Sequence, residues 1–228
     1  MPHHVTQRGN HRQQTFYNDQ DRKVYLGLLK DHAERYELRV LGYCLMTNHI
    51  HLVVVPETED SLARALGRTH CRYANYLHAR ERWQGHLWQN RFYSSVLDEA
   101  HLCRAMRYVE RNPVRAGVAT SAAEYRWSSA LAHLTGHDEW GILDLEEWGS
   151  RFNPEEWGSL LLEPDDPEVA RRIRNSTITG RPLGGEEFVA RLGSELGRDF
   201  SPKPMGRPKK TNGQGMAAGA AAGGNLSL

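Results

Sequence analysis

Two apolar runs, LRVLGYCLM (38–46) and HIHLVVVP (49–56), stand almost end to end, and they restrict the fold more than any other feature of the chain. Only Thr47 and Asn48 separate them, the composition of a hairpin between two strands. Pro56 has no N–H to give to a ladder and stops the second strand. Successive side chains of a strand point to opposite faces. Ile50, Leu52 and Val54 are therefore expected to enter the core, while His49 and His51 project together from the other face.

The elements around the hairpin follow from local signals. HHVTQRGN reads as a short first strand ending at Gly9. Asn18 or Asp19 caps a helix through VYLGLLKDHAERY, where Tyr25, Leu28, Leu29, His32 and Tyr36 recur at helical spacing. SLARALGRTHCRYANYLHAR is helical again, with Leu62, Leu66, Tyr73, Tyr76 and Leu77 as its apolar stripe. LWQNRFYSSVL reads as a strand and DEAHLCRAMRYVERN as a helix. This order predicts an α+β fold, a mainly antiparallel sheet with helices on one face, followed by a helical C-terminal extension. After about residue 137 the chain turns Trp- and acid-rich, then basic around EVARRIRN, and the stretch NGQGMAAGAAAGGNLSL lacks the residues to build a core and reads as disordered.

Composition removes some function classes. No apolar run approaches the roughly 20 residues of a membrane span, and MPHHVTQRGN carries no signal-peptide core, so a cytoplasmic protein with no membrane partner is expected. Three scattered cysteines argue against a disulfide framework or a thiolate zinc site. The net charge of +1 is uninformative, but RTHCRYANYLHARERWQGHLWQNRF interleaves arginines with rings, as nucleic acid requires. A solvated basic face over core aromatics is the alternative for that segment.

Two imidazoles at His49 and His51 can bind one metal ion and leave positions open for a substrate, although a strand His-x-His also occurs in packing and surface roles. A third alternating histidine on the strand is excluded, because the next residue on that face is Val53. The helix at DEAHLCRAMRYVERNPVRAG offers a nucleophile. Leu102, Ala105, Met106 and Val109 form its buried stripe, and Tyr108 and Asn112 lie beside it, four residues apart on a neighbouring face. Asn-Pro also ends helices, so Asn112 has a purely structural reading too.

MTNHIHLVVVP followed by YVERNPVRAGV resembles the single-tyrosine transposases of the HUH superfamily, named for their His–hydrophobic–His motif. HHVTQRGNHRQ, GHLWQNRFYSSVL and EYRWSSALAH, in that order, resemble its REP-associated branch, over roughly residues 3–135. The resemblance implies an HUH, ferredoxin-like transposase domain over 1–136, a C-terminal helical extension over 137–200 for which DNA binding is one reading, and a basic segment with a disordered tail over 201–228. It further implies a metal-dependent transesterase that cleaves and rejoins single-stranded DNA near REP-like palindromic hairpins through a 5′-phosphotyrosine link. Tyr108 matches the nucleophile, His49 and His51 the metal ligands, and Asn112 a polar third ligand, where related enzymes use Gln. Mg2+ or Mn2+ is the implied cofactor.

DNA contacts are expected from Arg8, Gly9 and Asn10 at the end of the first strand, from Trp88 and Arg91, from Arg111 and Arg115 flanking Asn112, and from Arg207 in GRPKK, which looks like a minor-groove hook. Tyr73, Tyr76 and Tyr93 are rival nucleophiles by residue type, with packing the better reading of each. A silent hairpin-binding descendant and an unrelated phosphohydrolase are the alternative functions. Monomer and homodimer are both open.

Overall fold

The computed structural model describes residues 1–82 and 84–200; the expected basic segment and tail over 201–228, with Arg207, lie outside the described residues. The two apolar runs pair as an antiparallel hairpin of β2 (Leu38–Leu45) and β3 (His49–Pro56), closed by the Met46 N–H donating to the His49 carbonyl at 2.9 Å. β1 (His3–Arg8) lies antiparallel along the other side of β3, and β4 (Tyr93–Val96) along β1, giving the sheet order β2-β3-β1-β4. With α1 (Asp19–Arg35) after β1 and α2 (Ser61–Glu81) after β3, the chain order is βαββαβ, the ferredoxin-like arrangement. Asn18 starts α1 with a reciprocal cap: its side chain accepts from the Asp21 N–H, and the Asp21 carboxylate accepts from the Asn18 N–H. The expected α+β class with an antiparallel sheet and a helical extension is the fold observed.

The helices are not confined to one face. Tyr25, Leu26 and Leu29 of α1 and Leu66 and Tyr73 of α2 pack on Val5, Tyr43, Leu45, Ile50, Leu52 and Val54. The opposite face, with Leu41, Cys44, Val53 and Val55, is covered by α3 (Glu99–Glu110) and α8 (Pro167–Thr179). Leu41 alternates from Val40 onto this second face, and the register shift between Val40 and Gly42 keeps Gly42 there, against Met106, and returns Tyr43 and Leu45 to the first. The physical reason lies in the strand itself: Val53, Val54 and Val55 are all buried, and an unbroken apolar run, unlike an alternating one, belongs to a strand covered on both sides.

After α3 the chain runs through the helical turn α4 (Asn112–Arg115) and α5 (Ala130–Thr135), and the extension expected over 137–200 holds α6 (Leu145–Gly149), α7 (Pro154–Leu162), α8 and α9 (Glu186–Leu196). Their connecting segments occupy both edges of the sheet. Beside β2, the Asp144 N–H donates to the Val40 carbonyl and the Leu45 N–H to the Trp127 carbonyl; beside β4, the Leu183 N–H donates to the Val96 carbonyl and the Ser95 hydroxyl to the Arg181 carbonyl. Unpaired edge groups that invite intermolecular pairing are thereby satisfied within the chain. Among the described residues no helix is long and apolar enough to cross a membrane.

One buried carboxylate joins α3 to the extension. Glu110 Oε1 accepts from Ser129 Oγ and His133 Nδ1, each at 2.5 Å, and Oε2 accepts from Trp157 Nε1 at 2.8 Å. Removing the carboxylate leaves three buried donors without that acceptor, at about 1–3 kcal/mol for each group left unsatisfied. Glu110→Leu is expected to lower unfolding free energy by about 3 kcal/mol or more in urea titration, with the midpoint moving and the slope unchanged. A loss under about 1 kcal/mol would show that the network does not brace the helix.

Candidate active site

Strand alternation and register assemble the first wall of the site. His49 and His51 share the face of β3 that their spacing predicts, and β1 sets Arg8 directly opposite His49 and Thr6 opposite His51. His4, one alternation further along β1, reaches diagonally across the ladder, and its Nε2 lies 3.0 Å from His51 Nδ1. The third imidazole that β3 itself cannot supply therefore comes from the neighbouring strand. Its sequence signal was the alternation His4, Thr6, Arg8 within HHVTQR.

α3 supplies the second wall. Leu102, Ala105, Met106 and Val109 are fully buried as the stripe predicts, and Tyr108 sits beside them at 7% exposure. The Tyr108 ring stands edge-on to His51 (centroids 5.6 Å, 88°) and to His4 (5.8 Å, 83°). The Arg115 guanidinium carbon lies 4.0 Å from the Tyr108 ring centroid, and Arg115 Nη2 donates to the Tyr108 carbonyl at 2.9 Å. α3 ends at Glu110, and Asn112 opens the separate turn α4 with Pro113 behind it, so the Asn-Pro pair does end the helix. Asn112 nevertheless faces the same cleft as Tyr108, His49 and His51. That cleft measures about 740 Å³.

The chemistry of the cleft is set by burial and by arginine. Burial, with Arg8 and Arg115 nearby, pushes His49 down to about 4; burial first and Arg115 second push His4 to about 3, and burial holds His51 well below 6.5. All three are neutral at pH 7, the state in which an imidazole nitrogen can bind a metal. Asn48 donates through Nδ2 to the Arg12 carbonyl, which assigns its Oδ1 as the acceptor for His49 Nδ1–H at 2.7 Å. With both Nδ1 atoms engaged, the Nε2 atoms of His49 and His51 have no hydrogen-bond partner among the described residues, and neither does the Asn112 amide. No three His, Cys, Asp or Glu side chains form a metal cluster among the described residues; His49, His51 and the Asn112 amide face the same cleft. Arg8, Arg12, Arg115 and Arg174 line the cleft, and among the described residues no carboxylate does. A cavity of that composition attracts a phosphodiester and leaves a bound cation's charge uncancelled by the protein.

The remaining expected contacts divide. Gly9 is required by a tight turn: a Cβ there would lie 2.3 Å from the Gln13 carbonyl oxygen, and its N–H donates to the Asn48 carbonyl. Asn10 begins the short turn that follows, its N–H bonded to the Leu87 carbonyl, and His11 and Arg12 beyond it hold left-handed backbone (φ 48° and 60°) at the cleft. Trp88 packs among Tyr25, His70 and Tyr73 and donates through Nε1 to the His70 carbonyl, so its ring belongs to the core wall rather than to an open stacking platform. Arg91 is exposed but away from the cleft. Arg111 is turned into the extension, where it donates to the Leu161 carbonyl and pairs with Asp165 at 3.1 Å. Tyr73 donates to the Thr15 carbonyl at 2.6 Å and Tyr76 to Asp21 at 3.2 Å, both as packing residues. Tyr93 differs, since it lines the cleft from β4. Gln89, a hydrogen-bonding neighbour of Trp88 in the sequence, lines the cleft, and His11, Arg12, Arg174 and Thr177 join the site without a sequence signal that marks them.

Comparison with known proteins places this geometry. Residues 1–112 match the model of the IS200-like transposase family. A Haemophilus influenzae protein assigned to the REP-associated tyrosine transposases is 28% identical over 143 residues, covering 56% of this chain and 78% of that relative. A solved REP-associated tyrosine transposase bound to a REP hairpin superposes with a TM-score of 0.51 at 13% identity, over 61% of this chain and 82% of that one. The fold, the matched residues and the convergence of His49, His51 and Tyr108 agree: residues 1–112 match the IS200-like transposase family, and the chain is similar to the REP-associated tyrosine transposases.

Proposed function

We propose that the cleft cleaves and rejoins single-stranded DNA beside a small hairpin, with Tyr108 as the nucleophile. The observation that carries this reading is the meeting of Tyr108, His49, His51 and Asn112 in one arginine-lined cleft from three separate parts of the chain. The Tyr108 hydroxyl oxygen attacks the scissile phosphorus; the P–O3′ bond breaks, and the departing 3′ oxygen takes a proton as the tyrosine loses one. The products are a 5′-phosphotyrosine and a free 3′-hydroxyl, and attack by such a hydroxyl reverses the step without ATP. His49 Nε2, His51 Nε2 and the Asn112 amide oxygen fit a divalent cation, and Mg2+ or Mn2+ held there would supply Lewis-acid polarisation of a phosphate oxygen.

The protein's own groups do the positioning. Arg115 lies over the Tyr108 ring and donates to the Tyr108 carbonyl, which fixes the ring at the cleft wall. Arg8, Arg12 and Arg174 surround the path that the DNA backbone must take, and each phosphate neutralised adds salt-dependent affinity. Hairpin recognition is supported by the solved relative of the same fold, which is bound to a REP hairpin.

Tyr108→Phe is expected to abolish covalent attachment to a hairpin-bearing oligonucleotide while hairpin affinity stays within about twofold, because only the reacting oxygen is removed; attachment at the wild-type level in that variant would contradict the assignment. His49→Ala combined with His51→Ala is expected to remove Mn2+-dependent cleavage in the same gel assay. Unchanged cleavage in the double variant would refute the two-imidazole ligand set. A wild type that binds hairpins tightly, yet forms no adduct and cuts no strand across a broad hairpin library with either metal, would favour a silent DNA-binding role.

A further inference from the structure

We infer that Thr177 and His4 are positioning residues for His51, a one-way hydrogen-bond chain that holds its imidazole in the tautomer offering Nε2 to the cleft. The inference deepens the proposed function and rests on reading His49 and His51 as a ligand pair.

The direction of the chain follows from counting protons. Thr177 Oγ1 lies 2.8 Å from the Ile173 carbonyl oxygen, one turn earlier on α8. A carbonyl only accepts, so the single hydroxyl hydrogen points there. Thr177 Oγ1 also lies 2.7 Å from His4 Nδ1, and with its hydrogen already placed it can only accept; His4 therefore carries its proton on Nδ1. A neutral imidazole has one N–H, which makes His4 Nε2 a lone pair. That lone pair lies 3.0 Å from His51 Nδ1, so His51 must donate from Nδ1, and its Nε2 is left bare.

The geometry supports each link. The His4 and His51 rings are nearly parallel at 7°, and their centroids are 5.2 Å apart, longer than the N–N distance by about the two ring radii. The rings thus meet edge to edge, with the hydrogen bond along their common plane rather than face to face. His4 and Thr177 are each 1% exposed and His51 is 5% exposed, so water does not compete for these atoms. His49 reaches the same tautomer independently through Asn48. An acceptor bonded to the ring N–H that faces away from a metal fixes ring orientation and raises ligand basicity. Here the terminal link comes from α8, so the extension completes the active site from within the same chain.

The test uses the full-length protein with Mn2+ alone as probe. Wild type, Thr177→Val, Thr177→Ser and His4→Phe are compared by two readouts: imidazole tautomers from nitrogen-15 NMR of the metal-free protein, and Mn2+ affinity from titration calorimetry. Wild-type His51 is expected as the Nδ1–H tautomer. Thr177→Val and His4→Phe are expected to mix the tautomers and to weaken Mn2+ binding about 10- to 100-fold, and Thr177→Ser, which keeps the hydroxyl, is expected to restore both. The NMR spectrum of each variant also reports whether it is folded. A folded Thr177→Val with an unchanged His51 tautomer and wild-type Mn2+ affinity would overturn the inference. The two claims separate cleanly: a tautomer shift in Thr177→Val, with Mn2+ binding equally to wild type and to the His49→Ala, His51→Ala protein, supports the chain and overturns the ligand pair.

Discussion

The site depends on the register between β1 and β3. Val5 facing Leu52 and Thr6 facing His51 put Val5, Ile50, Leu52 and Val54 under α1 and α2, and His4, His49 and His51 on the side of α3. A one-residue slip would invert both sets, turning His49 and His51 into the aliphatic core and Ile50, Leu52 and Val54 toward the face that carries the cleft. Burial of those aliphatics is worth about 1.5–3 kcal/mol for each side chain, so the core enforces the register and the register places the chemistry. The turn at Gly9 adds a local lock, with the Gly9 N–H held by the Asn48 carbonyl beside the hairpin loop.

The proposed nucleophile, Tyr108, is braced from behind. Arg107 donates to the Leu160 carbonyl, Arg111 to the Leu161 carbonyl, and Asp165 approaches Arg107, Arg111 and Arg115 together. With Glu110 buried among Ser129, His133 and Trp157, one side of α3 is fastened to the extension while Tyr108 on its neighbouring side stays in the cleft. The same extension returns through α8 to place Arg174 and Thr177 at the opposite rim. A transesterase must hold its nucleophile and its phosphate-binding groups in fixed relation through cleavage and rejoining. Here a single chain supplies both walls and the frame behind them.

Much of this was legible in the sequence because it rests on short-range periodicity. Period two separated His49 and His51 from Ile50, Leu52 and Val54, and the helical stripe left Tyr108 and Asn112 to one side. The order of strands and helices followed from element types, and its ferredoxin-like arrangement from the family resemblance. Helices on one face differ from the structure because the unbroken Val53–Val55 run belongs to a strand covered on both faces. Arg111 shows a different limit: a basic residue off an apolar stripe looks the same in sequence whether solvent or a later helix covers it, and Asp165 covers it. Trp88 had a stacking reading that only its seat among Tyr25, His70 and Tyr73 decides. His4 was within reach, being in phase with Arg8 on β1. Arg174 and Thr177 were not, since nothing local indicates that α8 folds back onto β1 and β4.

The central claim is that Tyr108 is the residue that becomes joined to DNA, and the cleft contains a second tyrosine, Tyr93, that could take its place. The most direct measurement is peptide mapping of the covalent adduct trapped on a single-stranded hairpin oligonucleotide with Mn2+, after digestion with trypsin and nuclease. The account predicts a nucleotide-sized mass increase on the peptide Tyr108–Arg111, released after Arg107. An adduct on the peptide that carries Tyr93, with Tyr108–Arg111 unmodified, would contradict it.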